Sequence, residues 1–100
     1  MPLSHDGAAL RLKDDDDVAV ALRVLEPGVP VRFPDAEVVP AAAIPSGHKI
    51  ALRAVPAGAP VRKYGQAIGR ASAPIAPGEH VHVHNVEGIR GRGDLAEAGP

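Results

Sequence analysis

The chain has no cysteine and no tryptophan, and its 100 residues include one phenylalanine, one tyrosine and one methionine. Without cysteine there can be no disulfide and no thiolate metal site, a composition that suits the cytoplasm. With so few aromatics, the core must come from Val, Leu, Ile and Ala. A domain of this size buries less than about 70% of its unfolded surface. Such a core is thin, so support from a partner is expected, either a second copy in a homo-oligomer or a different subunit. Charge of one sign is also lacking, because 11 basic and 12 acidic residues leave a net charge of −1. That balance offers no field for nucleic acid or for an acidic membrane surface. No stretch approaches the roughly 20 apolar residues of a membrane-spanning helix. Met1 to Asp6 lack the basic and apolar regions of a secretory signal.

Punctuation, by contrast, is abundant. Eleven Gly and eleven Pro are enough to break any long helix. They are also arranged, since Glu26-Pro27-Gly28, Ile44-Pro45-Ser46-Gly47, Val55-Pro56-Ala57-Gly58 and Ile75-Ala76-Pro77-Gly78 each precede an apolar-rich run. Pro suits the first corner of a tight turn and Gly the positive φ that follows. The spacings are too short for crossover helices between parallel strands. Val18, Val20, Leu22 and Val24 alternate with Ala19, Ala21, Arg23 and Leu25, and His48, Ile50 and Leu52 with Lys49, Ala51 and Arg53. Further short strands are predicted at Val31–Phe33, Glu37–Val39, Val61–Tyr64 and His80–Asn85. Many short strands between turns predict an all-β barrel or sandwich. The expected organisation is a flexible N-terminus at 1–8, a domain at 9–86 and a flexible Gly/Ala-rich tail at 87–100.

Three of the five histidines fall in one run, His80-Val81-His82-Val83-His84. In a strand, successive side chains take opposite faces and rise about 3.3 Å per residue. The three imidazoles would then line one face, neighbours roughly 7 Å apart and the outer pair roughly 13 Å, with both valines opposite. At metal–nitrogen bonds of about 2.1 Å, one ion can bridge His80 and His82, or His82 and His84, but hardly all three. The run is therefore either the polar face of a half-buried strand or a metal or substrate surface.

Other candidates divide in the same way. The acidic run Asp14–Asp17 could gather a hard cation, but four consecutive acids point in different directions and read better as a solvated approach to a strand. Gly47-His48-Lys49 follows a turn, where backbone amides and a cation could meet an anion. Arg62-Lys63-Tyr64-Gly65 could hold a carboxylate by charge-assisted bonds, or simply decorate an exposed strand. Gly88 to Asp94, Gly-Ile-Arg-Gly-Arg-Gly-Asp, could form an anion-binding loop. No nucleophile elbow, Walker loop or dinucleotide fingerprint is present.

Three blocks in fixed order carry a resemblance. Ile44-Pro45-Ser46-Gly47-His48-Lys49-Ile50-Ala51-Leu52, then Val61-Arg62-Lys63-Tyr64-Gly65-Gln66-Ala67-Ile68-Gly69, then Gly78-Glu79-His80-Val81-His82-Val83-His84-Asn85 resemble the SAF-type module of the altronate/galactarate dehydratase family. The similarity runs from about Asp17 to Asp94. The resemblance implies a β-clip fold. It also implies a lyase that removes a leaving group β to a carboxylate, with a sugar acid such as altronate or galactarate as substrate. A divalent metal, iron or manganese, would be held mainly by a large catalytic subunit. This chain would then be the small subunit that closes the active site, inactive by itself. By the same resemblance His48, Lys49, Lys63 and Tyr64 bind the acid, His82 and His84 take part in catalysis, and His80 and His82 meet the metal. Two alternatives accompany this reading: the alpha subunit of a (2R)-sulfolactate sulfo-lyase, and a non-catalytic SAF module that binds a carbohydrate or a protein.

Overall fold

A computed structural model describes residues 3–88. Ile89 to Asp94 of the expected anion-binding loop, and most of the expected tail, lie outside the described residues. Among the described residues, nine strands follow one another: β1 (Ala9–Leu10), β2 (Val18–Ala21), β3 (Val31–Phe33), β4 (Ala36–Val38), β5 (Lys49–Ala51), β6 (Pro60–Lys63), β7 (Gln66–Ala71), β8 (His80–Val81) and β9 (Val86–Glu87). They pair antiparallel in three small sheets, ordered β1-β2-β5-β8, β3-β4 and β6-β7-β9. Among the described residues there is no helix, so the domain is all-β, and none is long and apolar enough to cross a membrane.

The four Pro/Gly segments set this architecture. In each, a carbonyl accepts the N–H three residues on: Glu26 from Val29, Pro45 from His48, Pro56 from Ala59 and Ala76 from Glu79, at 3.0–3.2 Å. Gly28, Gly47, Gly58 and Gly78 hold φ between 83° and 86°, the left-handed third position of a type II turn. The turns occur in pairs. The stretch after β2 is bridged by Leu25 and Ile44, and the stretch after β5 by Val55 and Ile75. Each pair of turns flanks a hairpin, β3-β4 in the first case and β6-β7 in the second. Backbone bonds repeat as well. Ala21 donates to His48 O and accepts from Gly47, and Ala51 donates to Glu79 O and accepts from Gly78. The chain is thus a structural duplication, and each half packs its own core. One core gathers Ala19, Leu25, Val31, Phe33, Val38, Ile44 and Ile50, the other Val18, Ala51, Val55, Val61, Ala71, Ile75 and Val81.

Several expectations need correction. β2 stops at Ala21, leaving Leu22 and Val24 exposed, because the chain bends there to carry Leu25 into its bridge with Ile44. β7, the longest of the described strands, is not among the expected ones, since Gln-Ala-Ile-Gly-Arg-Ala lacks clear alternation and has only Ile68 as a β-branched residue. It is set instead by the hairpin turn at Tyr64 and Gly65, whose φ values of 56° and 80° are those of a type I′ turn. Gly69 within it admits β9, because a Cβ there would meet Glu87 O at 2.4 Å. At the N-terminal end, Leu3 bridges Leu10, and the buried Ser4 hydroxyl accepts the N–H groups of Ala8 and Ala9.

Candidate functional site: a histidine cluster beside a lysine-lined groove

The histidine run does not continue as a strand. β8 ends at Val81, and residues 82–85 form a turn closed by Asn85. The buried Asn85 side chain accepts the His82 N–H at 3.0 Å and donates to His80 O at 2.9 Å, while the N–H groups of Asn85 and Val86 both reach His82 O. Asx side chains mimic backbone turns in this way. Consequently Val81 is buried, as the alternation required, but Val83 is 82% exposed and does not share its face.

The turn sends the histidines towards a partner that the run itself lacks. β5 and β8 pair with Lys49 opposite Val81 and Ile50 opposite His80. One step further along this ladder, His48 falls opposite His82, and their rings stack at 3.9 Å between centroids. His48 Nδ1 and His80 Nε2 lie 2.8 Å apart in a hydrogen bond. The three imidazoles thus form one cluster, with one nitrogen from each all within 4.8 Å of one another. His84, at the exposed tip of the turn, meets the cluster through the His80 ring, at 5.1 Å between ring centroids.

On the other side of the pleat, Lys49 follows Val81 into a groove of about 320 Å³. Lys63 and His82 also line it, over a floor of Ile68, Val81 and Val86. Burial, and then the neighbouring Lys63 charge, push the Lys49 ammonium below its ordinary pKa. His80 is lowered by burial first and then by His48, His84, His82 and Lys49. His82 is lowered by desolvation and then by His48, Lys49 and His84. A cationic rim that lowers the pKa of its own members is arranged to receive negative charge. Tyr64 is not part of the groove lining; its ring lies under the Lys63 ammonium, 4.8 Å from centroid to nitrogen. Of the residues singled out in the sequence, then, His48, His80 and His82 come together, Lys49 and Lys63 gather beside them, and Tyr64 and His84 stand at the margins.

Two residues of the acidic run turn out to organise this edge. Asp14 and Asp15 are exposed, but Asp16 is fully buried. Its carboxylate accepts the N–H groups of Tyr64 and Gly65, both at 2.8 Å. Asp17 accepts the Arg62 N–H at 2.8 Å and donates its own to Arg62 O. The backbone is therefore held on both sides of Lys63. A run of like acids hides this, although the Tyr-Gly pair, which needs a left-handed turn, carried part of the signal. Also unforeseen is Arg11, buried against Phe33 and paired with Asp35 at 2.6 Å.

Comparison with known proteins identifies the family. The model of the altronate/galactarate dehydratase SAF domain matches residues 7–88. The altronate dehydratase of Escherichia coli (strain K12) is 47% identical over 70 residues, covering 70% of this chain and 14% of that protein. The altronate dehydratase of Bacillus subtilis (strain 168) is 36% identical over 78 residues, 78% of this chain and 16% of that one. The (2R)-sulfolactate sulfo-lyase subunit alpha of Chromohalobacter salexigens is 53% identical over 45 residues, covering 45% of this chain and 48% of the subunit. The chain thus spans about one seventh of the length of the dehydratases it matches. With an all-β fold and a family match over four fifths of its length, this chain belongs to the altronate/galactarate dehydratase SAF domain family.

Proposed function

We propose that the chain is the SAF part of a hydro-lyase that dehydrates a sugar acid, and that it acts as a small subunit closing an active site whose remainder lies on a large catalytic subunit. The observation that carries this reading is the convergence of three imidazoles and two ammonium groups on one edge of the β5–β8 ladder. Loss of water β to a carboxylate requires a base for the α-proton, positive charge for the aci-carboxylate and an acid for the departing hydroxyl. Lys49 and Lys63 would hold the substrate carboxylate in the groove, where partial burial strengthens their pull. His82 lines the same groove, where desolvation and then the neighbouring His48, Lys49 and His84 favour its neutral form. Its one lone-pair nitrogen suits it to accept a proton or to ligate a metal, but not both at once. His84, at the tip of the turn, would face the large subunit and serve there as the second proton-transfer group. Tyr64 would steady the Lys63 ammonium rather than touch the acid. Iron or manganese, when bound, would supply a Lewis acid for the developing carboxylate charge, and among this chain's residues His48, His80 and His82 are the ones that could hold it.

The test is reconstitution. The chain is co-expressed with a large dehydratase subunit, and the complex is assayed on a panel of sugar acids, with His82→Ala alongside. Turnover of one acid that falls 10²-fold or more in the variant, as expected for a lost proton-transfer group (about 10²–10⁴), supports the reading. A complex that never forms, or one indifferent to the substitution, refutes it. A second reading, the alpha subunit of a sulfolactate sulfo-lyase, is favoured by the 53% identity and by its covering 48% of such a subunit. Including sulfolactate in the panel decides between them.

A further inference from the structure

We infer that the full chain by itself binds one divalent transition-metal ion through His48, His80 and His82, and that His48 is the ligand completing the site. The inference deepens the role proposed for this edge, yet it is read on the chain without large subunit or substrate, so an inactive complex leaves it untouched. Three observations carry it.

The first is geometric. Two ligands at right angles on an ion with bonds of about 2.1 Å stand about 3.0 Å apart. His48 Nδ1 and His80 Nε2 are already 2.8 Å apart. The whole donor set lies within 4.8 Å, and the widest separation two ligands can have on one ion is about 4.2 Å. The excess over that limit is small, and the half-exposed His82 ring would have to turn about its χ angles out of its stack on His48 to close it.

The second is that the backbone beneath the cluster is fixed. His48 leaves a type II turn whose carbonyl is bonded to Ala21, and His80 and His82 are joined through Asn85. A site held by its supporting shell costs little ordering when an ion enters.

The third is the chemistry of the donors. Three imidazoles with no carboxylate among them suit iron, cobalt, nickel or zinc far better than magnesium or calcium. Three protein ligands also leave at least one position open, as catalytic sites do. Lys49 and Lys63 border the groove that His82 enters, so an anionic oxygen would be the natural occupant of that position.

Cobalt(II) is the probe, because its visible absorption reports nitrogen ligation. Titrated into the metal-free full chain, it should bind at one equivalent, give a ligand-field spectrum, raise the melting temperature and be displaced by zinc but not by magnesium. His48→Ala, His80→Ala and His82→Ala should each raise the Kd at least about tenfold, a loss no smaller than that seen when only a supporting partner of a ligand is removed. His5→Ala, on the exposed N-terminal segment, should change nothing. Absence of one-equivalent binding by the wild-type chain overturns the inference. So does retention of full affinity in folded His48→Ala when His84→Ala loses it, because the site would then be the single-run pair His82 and His84.

Discussion

Removing the Asp16 carboxylate should cost this domain a large part of its stability. The side chain is fully buried and accepts the N–H groups of Tyr64 and Gly65 at 2.8 Å, with a longer contact to the Lys13 N–H at 3.3 Å. A hydrogen bond to a charged group is worth about 1.5–3 kcal/mol. Asp16→Ala breaks the two short bonds and strands both donors, so the expected loss is about 3–6 kcal/mol. A domain of this size has only about 5–15 kcal/mol in total. At 4–8 °C per kcal/mol, the smaller loss already lowers the melting temperature by about 12–24 °C. Asp16→Asn retains an acceptor oxygen and should fall between Asp16→Ala and wild type. Asp14→Ala, whose side chain is 94% exposed, is the control and should stay within about 0.5 kcal/mol. The assay is thermal unfolding by circular dichroism, repeated in urea. If Asp16→Ala melts within about 4 °C of wild type, a loss below about 1 kcal/mol, then the carboxylate does not hold the β6–β7 turn.

The other expectations separate backbone, packing and charge. Gly78→Ala should yield no folded protein, because the new Cβ would meet Val39 O at 2.1 Å; Gly58→Ala has the same positive φ but open space, and soluble protein with about 1–2 kcal/mol lost is expected on denaturant titration. Val81→Ala should cost about 1–3 kcal/mol by chemical denaturation, whereas Val83→Ala should stay within about 0.5 kcal/mol, the reverse of what strict strand alternation implies. For pH, the folded-state values of His80 and His82 lie below the ordinary 6.5, so the unfolded chain binds the extra protons first as pH falls. The stabilisation is complete above about 6.5 and is lost below it, towards the lowered values. Melting temperatures should therefore drop between pH 7.5 and 5.5, and the drop should shrink in a His80→Gln, His82→Gln double variant; a wild-type profile that is flat or rises on acidification contradicts the cause assigned.

Much of the fold was legible because its controlling residues act locally. Four Pro/Gly turns announce themselves by composition, and each occurs with its glycine at positive φ. Val31–Phe33 coincides with β3, since a short β-branched and aromatic run between prolines has few other uses. Illegible were the features decided by distant partners. β7 has a weak sequence for a strand and exists because Asp16, some 50 residues upstream of its middle, closes the turn before it. Asn85 was visible in the histidine block, but its reach to His80 O and the His82 N–H depends on the strand having already ended. Val83 was misjudged for the same reason, because alternation holds only while the strand lasts.

The histidine site shows why a spacing argument stops where it does. Within the run, strand geometry allows an ion to bridge neighbouring histidines only in pairs, and the run alone gives no third ligand. The third comes from the other half of the duplication. Equivalent type II turns end at His48 and at Glu79, so one turn delivers a histidine just before β5 and the other delivers one at the first residue of β8. The halves are joined because β5 closes the first and opens the second. Its antiparallel pairing with β8, Lys49 against Val81 and Ile50 against His80, makes His48 and His82 neighbours. No periodicity of 2 or 3.6 relates residues 48 and 80. What relates them is that each repeat ends in the same turn and that the two ends pair. The chemistry of this edge therefore depends on both halves folding together. A substitution that separates β5 from β8 would scatter the imidazoles even if each turn survived.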